Sequence, residues 1–176
     1  MTASSSGENM ASSFERHGAR ATTSERITFF DGDALPFFDP TEGSTVDLNE
    51  VYDLPEEVAA NVDLNEYLGH GNIQIQVLLN QTDENGYSLQ GVKYPAHAYI
   101  PRHHHDADQV VLVLEGELWQ GNKVVKAGSG YYTPAGAAYA VKAGPEGVHL
   151  VEFRHSSLTF STEWVEDDPA RWKHGE

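Results

Sequence analysis

Apolar and polar positions begin to alternate at residue 72 with the period of a β-strand. Ile73, Ile75, Val77 and Leu79 fall on one face, and Asn72, Gln74, Gln76 and Leu78 on the other. The same texture predicts further short strands at Tyr87–Tyr94, Ala96–Ile100, Gln109–Glu115, Leu118–Gln120, Lys123–Lys126, Gly130–Thr133, Ala138–Lys142, Val148–Arg154 and Leu158–Trp164. Gly121-Asn122 between two of these is a hairpin turn pair. Val110 to Leu114 is the longest apolar run and predicts an interior strand. Many short strands, Gly and Pro turns and little helix indicate an all-β fold, an antiparallel β-barrel or jelly roll.

Around this core, the first 25 residues are rich in Ser, Thr, Ala and Gly without apolar periodicity, and are expected to be a disordered leader. Residues 26–70 read as an acidic N-terminal arm. In it Ile27–Phe30 predicts a short strand, residues 35–40 a loop and Pro55–Ala60 the opening of a short helix. The arm is expected to pack outside the barrel or on a second subunit, the barrel to span 71–165, and 166–176 to form a tail. Trp164 and Trp172 are expected to pin that tail to the barrel wall.

A chain of 176 residues with 39% hydrophobic content suits one domain with a sizeable core. Its net charge of −16 is unevenly spread: Asp31 to Glu66 holds eleven acids and no Lys or Arg, whereas residues 71–160 hold eight acids and six bases. Such a surface repels phosphate backbones and anionic lipids, so no nucleic acid and no membrane are expected as partners, and a small-molecule substrate is. The absence of cysteine removes disulfides, thiolate nucleophiles and zinc-finger sites, and leaves only N and O donors for a metal. No segment approaches the roughly 20 apolar residues that span a bilayer. With no signal-type apolar stretch at the N-terminus, a cytoplasmic location is the expectation.

The chemistry concentrates in residues 101–116. On a strand, His103 and His105 share a face while His104 points away, so two imidazoles converge on one point. They make half a shell for a divalent transition metal, Fe, Zn, Mn or Ni. Gln109 brings an amide oxygen to the start of the next strand. A His-rich tract alone also describes a solvated turn, but the apolar run that follows sets these residues at the lip of a core.

The spacing resembles the cupin superfamily, whose small barrels carry two motifs around one metal pocket. Its first motif has the pattern H-x-H, three or four residues, E, six residues, G; here His103, His105, Gln109 and Gly116 match it with Gln in the Glu position. Its second has G, five residues, P-x-G, two residues, H; here Gly128, Pro134, Gly136 and Tyr139 match it with Tyr in the His position. His97 falls where the first motif normally begins with Gly. The resemblance covers residues 72–160 and implies that His103 and His105 are metal ligands and that Gln109 occupies a ligand position. An amide donor holds a metal more weakly than carboxylate but leaves it a stronger Lewis acid. Tyr139 either ligates as a phenolate, acts as acid or base beside an open site, or fills the barrel with its hydroxyl satisfied. His149, sharing a face with Val151 and Phe153, is a candidate third imidazole, and His97 another; a satisfied core histidine is the alternative for each.

The resemblance implies a mononuclear metal enzyme acting on a small carbonyl- or hydroxyl-bearing molecule, with Tyr139 moving the proton. Tyr131, Tyr132, Trp119, Val111 and Val113 are expected to shape a mostly apolar cavity. Dioxygenase-type chemistry is slightly preferred over non-redox lyase, isomerase or cyclase chemistry. A different class, a small-molecule-binding or sensing cupin without metal chemistry, is supported by the same Gln and Tyr replacements. A homodimer is expected, because edge strands of small barrels pair across a twofold axis.

Overall fold

In the computed structural model the described residues are 30–39, 56, 73–81, 86–155 and 162–165. They form eight strands: β1 Gln74–Asn80, β2 Ser88–Tyr94, β3 Tyr99–His105, β4 Gln109–Gln120, β5 Lys123–Lys126, β6 Gly130–Thr133, β7 Tyr139–Arg154 and β8 Thr162–Trp164. All pairings are antiparallel. The fold is therefore the all-β barrel that the alternation predicts. Of the expected helix at Pro55–Ala60 only Glu56 is described, and it is helical. Phe30 is described and is not in a strand; residues 27–29, the leader and the tail including Trp172 lie outside the described residues.

The barrel has two walls, and β4 and β7 run through both. One wall has the order β1-β2-β7-β4-β6, using Val148–Arg154 of β7 and Gln109–Gly116 of β4. The other has the order β8-β3-β7-β4-β5, using the first residues of β7 and the last of β4. Each of these long strands was expected as two short ones. They stay continuous because glycine turns the corner: Gly116 and Gly147 both have positive φ, 72° and 77°. A Cβ at Gly116 would collide with the Gly147 carbonyl oxygen, so both strands bend at one point of closest approach.

The core lies between the walls around Val92, Ile100, Val113, Leu118, Val141 and Leu150. Only half of the apolar run on β4 joins it. Val111 and Val113 are buried, whereas Val110, Leu112 and Leu114 are 43–46% exposed, which corrects the expectation of an interior strand. The wall is one sheet thick there, so the pleat sends alternate side chains to solvent whatever their hydrophobicity. Phe153 and Tyr132 pair with Val110 from either side and extend this exposed apolar face.

Residues 30–39 lie on the outer face of β1 and β2. Phe38 bridges Ile75, and the buried Gln76 donates its amide to the carbonyls of Gly32 and Leu35. No helix among the described residues is long and apolar enough to cross a membrane.

Candidate functional site

Between the walls lies a cavity of about 130 Å³ lined by residues of both. From β3, His103 and His105 point inward, both buried, as the period of two requires; their ring centroids are 4.9 Å apart. His104 faces outward against Glu163 of β8, 3.4 Å away. Tyr139, opposite His103 in the register at the start of β7, brings its ring to 4.6 Å from His103 and 6.1 Å from His105. Gln109, the first residue of β4, is 1% exposed and touches Tyr139 through its amide nitrogen at 3.2 Å. Four of the six candidates to hold or serve a metal, His103, His105, Gln109 and Tyr139, are thus brought together.

The other two, His149 and His97, are elsewhere. His149 faces outward on β7, where Phe37 meets its ring edge-on with centroids 5.5 Å apart; partial burial and the nearby Lys93 ammonium lower its pKa. The expectation reversed the faces of this strand: Val148, Leu150, Glu152 and Arg154 line the interior, and His149, Val151 and Phe153 look out. His97 is exposed in the turn between β2 and β3 with φ 63° and does not line the cavity. Among the aromatic and aliphatic residues expected to shape the cavity, Tyr131 does so. Tyr132 is exposed and bonded to Asp108, Trp119 bonds Glu117, and Val111 and Val113 belong to the packed core.

Reversing that face puts an ion pair inside the barrel. Register aligns Ser88, Arg154, Gln109 and Thr133 in one inward row across β2, β7, β4 and β6, and all four are buried. The next row holds Gln90, Glu152, Val111 and Tyr131. Arg154 donates from Nη2 to Glu152 Oε2 at 2.6 Å and from Nε to Gln109 Oε1 at 2.9 Å; Gln90 Nε2 also donates to Glu152 Oε2, at 2.6 Å. Both bonds to Glu152 fall on the same oxygen. Its other oxygen, Oε1, receives no hydrogen bond from a described residue, and Glu152 lines the cavity. The primary structure carried one signal for this: Glu152 and Arg154 are two apart, so opposite charges share a strand face.

The protonation states follow from burial. His103 Nδ1 lies 2.6 Å from the Pro101 carbonyl oxygen, which only accepts, so Nδ1 carries the proton and the neutral ring's lone pair is on Nε2. Burial pushes the His103 pKa down to about 4, and the ring is neutral near pH 7. Burial first, then the Glu152 charge, raises Tyr139, and burial with neighbouring Tyr139 raises Tyr131, so both phenols stay protonated. His105 Nδ1 is 3.3 Å from Thr162 Oγ1 of β8.

This donor set fits a metal in part only. Two imidazoles side by side suit one. The Gln109 oxygen, however, already accepts from a guanidinium, the Tyr139 phenol is held away from its ligating form, and the Arg154 charge opposes a dication nearby. Among the described residues no group of three or more His, Asp or Glu side chains is placed to hold a metal. The residues do not complete a shell.

A family model described as the ChrR cupin-like domain matches residues 58–158. No curated protein matches the sequence. Among solved structures, the chain is similar to an RmlC-like cupin protein from Ralstonia eutropha JMP134, with 17% identity and a TM-score of 0.51 over 74% of this chain and 69% of that one. It is also similar to a cupin-like protein from Thermotoga maritima MSB8, with 19% identity and a TM-score of 0.50 over 61% of this chain and 87% of that one. At these identities the likeness bears on the fold.

Proposed function

The chain belongs to the ChrR cupin-like domain family, and from that premise we propose that its barrel is a receptor for a small polar molecule, bound by the protein's own side chains. The observation that carries this reading is the bond from Arg154 Nε to Gln109 Oε1, which occupies a metal-ligand position with a resident cation. What remains for an occupant is a set of complementary groups. The Glu152 Oε1 atom and the His103 Nε2 lone pair accept, and the protonated hydroxyls of Tyr131 and Tyr139 donate. Ile73, Val92, Ile100 and Leu150 line the rest of the cavity with hydrocarbon.

A second reading has one observation in its favour. The bond from His103 to Pro101 presents a neutral imidazole as a metal ligand would be presented, with its far nitrogen turned free. On that reading His103 and His105 hold a divalent transition metal for an enzyme acting on a small carbonyl- or hydroxyl-bearing molecule, of dioxygenase or lyase, isomerase or cyclase type.

One experiment separates the two. Thermal-shift screening of small polar molecules is run on the whole protein in chelator, then after loading with Zn, Mn, Fe(II) or Ni, with elemental analysis of each sample. The receptor reading expects ligands that raise Tm in chelator without stoichiometric metal. Retention of one metal per chain, with ligand shifts only in the loaded samples, overturns it in favour of the enzyme.

A further inference from the structure

We propose that the cavity's occupant is a small organic cation, an alkylated ammonium seated between the free oxygen of Glu152 and a cage of aromatic rings. The inference rests on the receptor reading and names its ligand class.

Three observations on different elements converge on it. The first is the carboxylate: Glu152 is 7% exposed, its Oε2 is clamped by Gln90 and Arg154, and its Oε1 is left with no bond from a described residue. With Oε2 clamped, the carboxylate is fixed in orientation, so an occupant that meets Oε1 gains a preorganised contact. The second is the wall of rings. Tyr94 of β2, Tyr131 of β6, Tyr139 of β7 and Trp164 of β8 all line the same space, with Tyr131 and Tyr139 centroids 6.4 Å apart and Trp164 bracing His103 at 5.1 Å. Rings around a carboxylate are the arrangement that binds ammonium groups, because each negative π-face adds to the charge attraction. The third is size. About 130 Å³ is close to the ~150 Å³ that admits a benzene-sized molecule, which suits a methylated ammonium with a short arm.

Other occupants use these groups less well. An anion would meet the free carboxylate oxygen, and Arg154 already gives two of its three nitrogens, Nε and Nη2, to Gln109 and Glu152. A neutral polyol could satisfy Oε1 but would gain nothing from the π-faces. Arg154, whose charge opposes a metal dication, meets the carboxylate at Oε2, so a monocation seated at Oε1 stands nearer the carboxylate than the guanidinium. The net charge of −16 also favours the approach of cations over anions.

The test is calorimetric titration of the whole protein in chelator with three probes of one shape: choline, the neutral 3,3-dimethylbutan-1-ol and the anionic 3,3-dimethylbutanoate. Choline is expected to bind one per chain, about tenfold or more tighter than the neutral isostere, with the anion weakest. Glu152→Gln should remove that preference while leaving the neutral probe's affinity in place. Because Glu152→Gln also loosens Arg154, Tyr131→Leu provides a second variant that leaves the ion pair intact, and a loss of several-fold in choline affinity is expected there. If the neutral isostere or the anion binds as tightly as choline, the cation inference is overturned and the receptor reading stands. If none of the three binds, the cation inference is overturned, and if no other small molecule binds in chelator either, the receptor reading falls with it.

Discussion

The two walls of the cavity bury polar groups in opposite ways. The wall built from β3, β8 and the start of β7 carries groups without formal charge at His103, Tyr139 and Thr162: the His103 ring meets the Pro101 carbonyl, Tyr139 the Gln109 amide, and Thr162 the His105 ring. The wall built from β2, β4, β6 and the end of β7 carries formal charge, and there each charged group is tied to at least one neighbour across a strand: Arg154 to Gln109, Glu152 to Gln90. The difference follows from the cost of burial. A neutral imidazole or phenol needs one partner to sit in a barrel, whereas a guanidinium needs a counter-charge and several acceptors. The network that makes Arg154 tolerable also ties up Gln109, and so the charged wall limits what the neutral wall can hold.

The largest expected effect tests the charged wall. Arg154→Met should destabilise the protein by about 3–5 kcal/mol in chemical denaturation, since it leaves Glu152 buried without its cation. Adding Glu152→Leu should recover most of that loss, because a hydrophobic pair of similar volume replaces the ion pair. A single variant as stable as wild type would show that the two walls do not differ in this way.

The next effect belongs to the neutral wall and is read against pH. The folded protein holds His103 at a pKa of about 4 against an ordinary 6.5, so the unfolded chain binds the proton more readily between those values. Stability is then intact above pH 6.5 and falls as the pH drops toward 4, by about 3 kcal/mol in all. His103→Gln should flatten that part of the acid limb, seen as a shallower dependence of the denaturation midpoint on pH. An unchanged slope would mean that another group sets it.

The smallest effect sharpens the contrast. Tyr139→Phe removes a hydroxyl whose contacts with Gln109, at 3.2 and 3.4 Å, are at the long end for hydrogen bonds. A loss of about 1 kcal/mol or less is expected from the shift in Tm. A loss as large as that of Arg154→Met would place Tyr139 inside the charged network.

Much of the neutral wall was legible in the chain. His103, His105, Gln109 and Tyr139 met because spacing on a strand sets the face of a side chain, and the turns joining the strands are short. The charged wall was not legible. On β7 the apolar side chains of Val151 and Phe153 mark the face with His149 as interior by sequence. In the structure Phe153 lies against Tyr87, ring centroids 5.5 Å apart, and His149 under Phe37, outside the barrel. Similarly, Val110 to Leu114 has no polar position to mark the outward side. Where both sides of a strand are covered in part, hydrophobicity no longer tells inside from outside.

By itself, then, the order of residues determined the strands, the cupin pattern and the meeting of two imidazoles with Gln109 and Tyr139, because these depend on local period and turn length. Only the tertiary structure decided which face of β4 and β7 turned inward, and with it that Glu152 and Arg154 share the cavity. The physical reason is that a period of two is symmetric. The choice between its two faces was made by the shared corner at Gly116 and Gly147, and by segments such as residues 30–39 that cover the outer side from far along the chain.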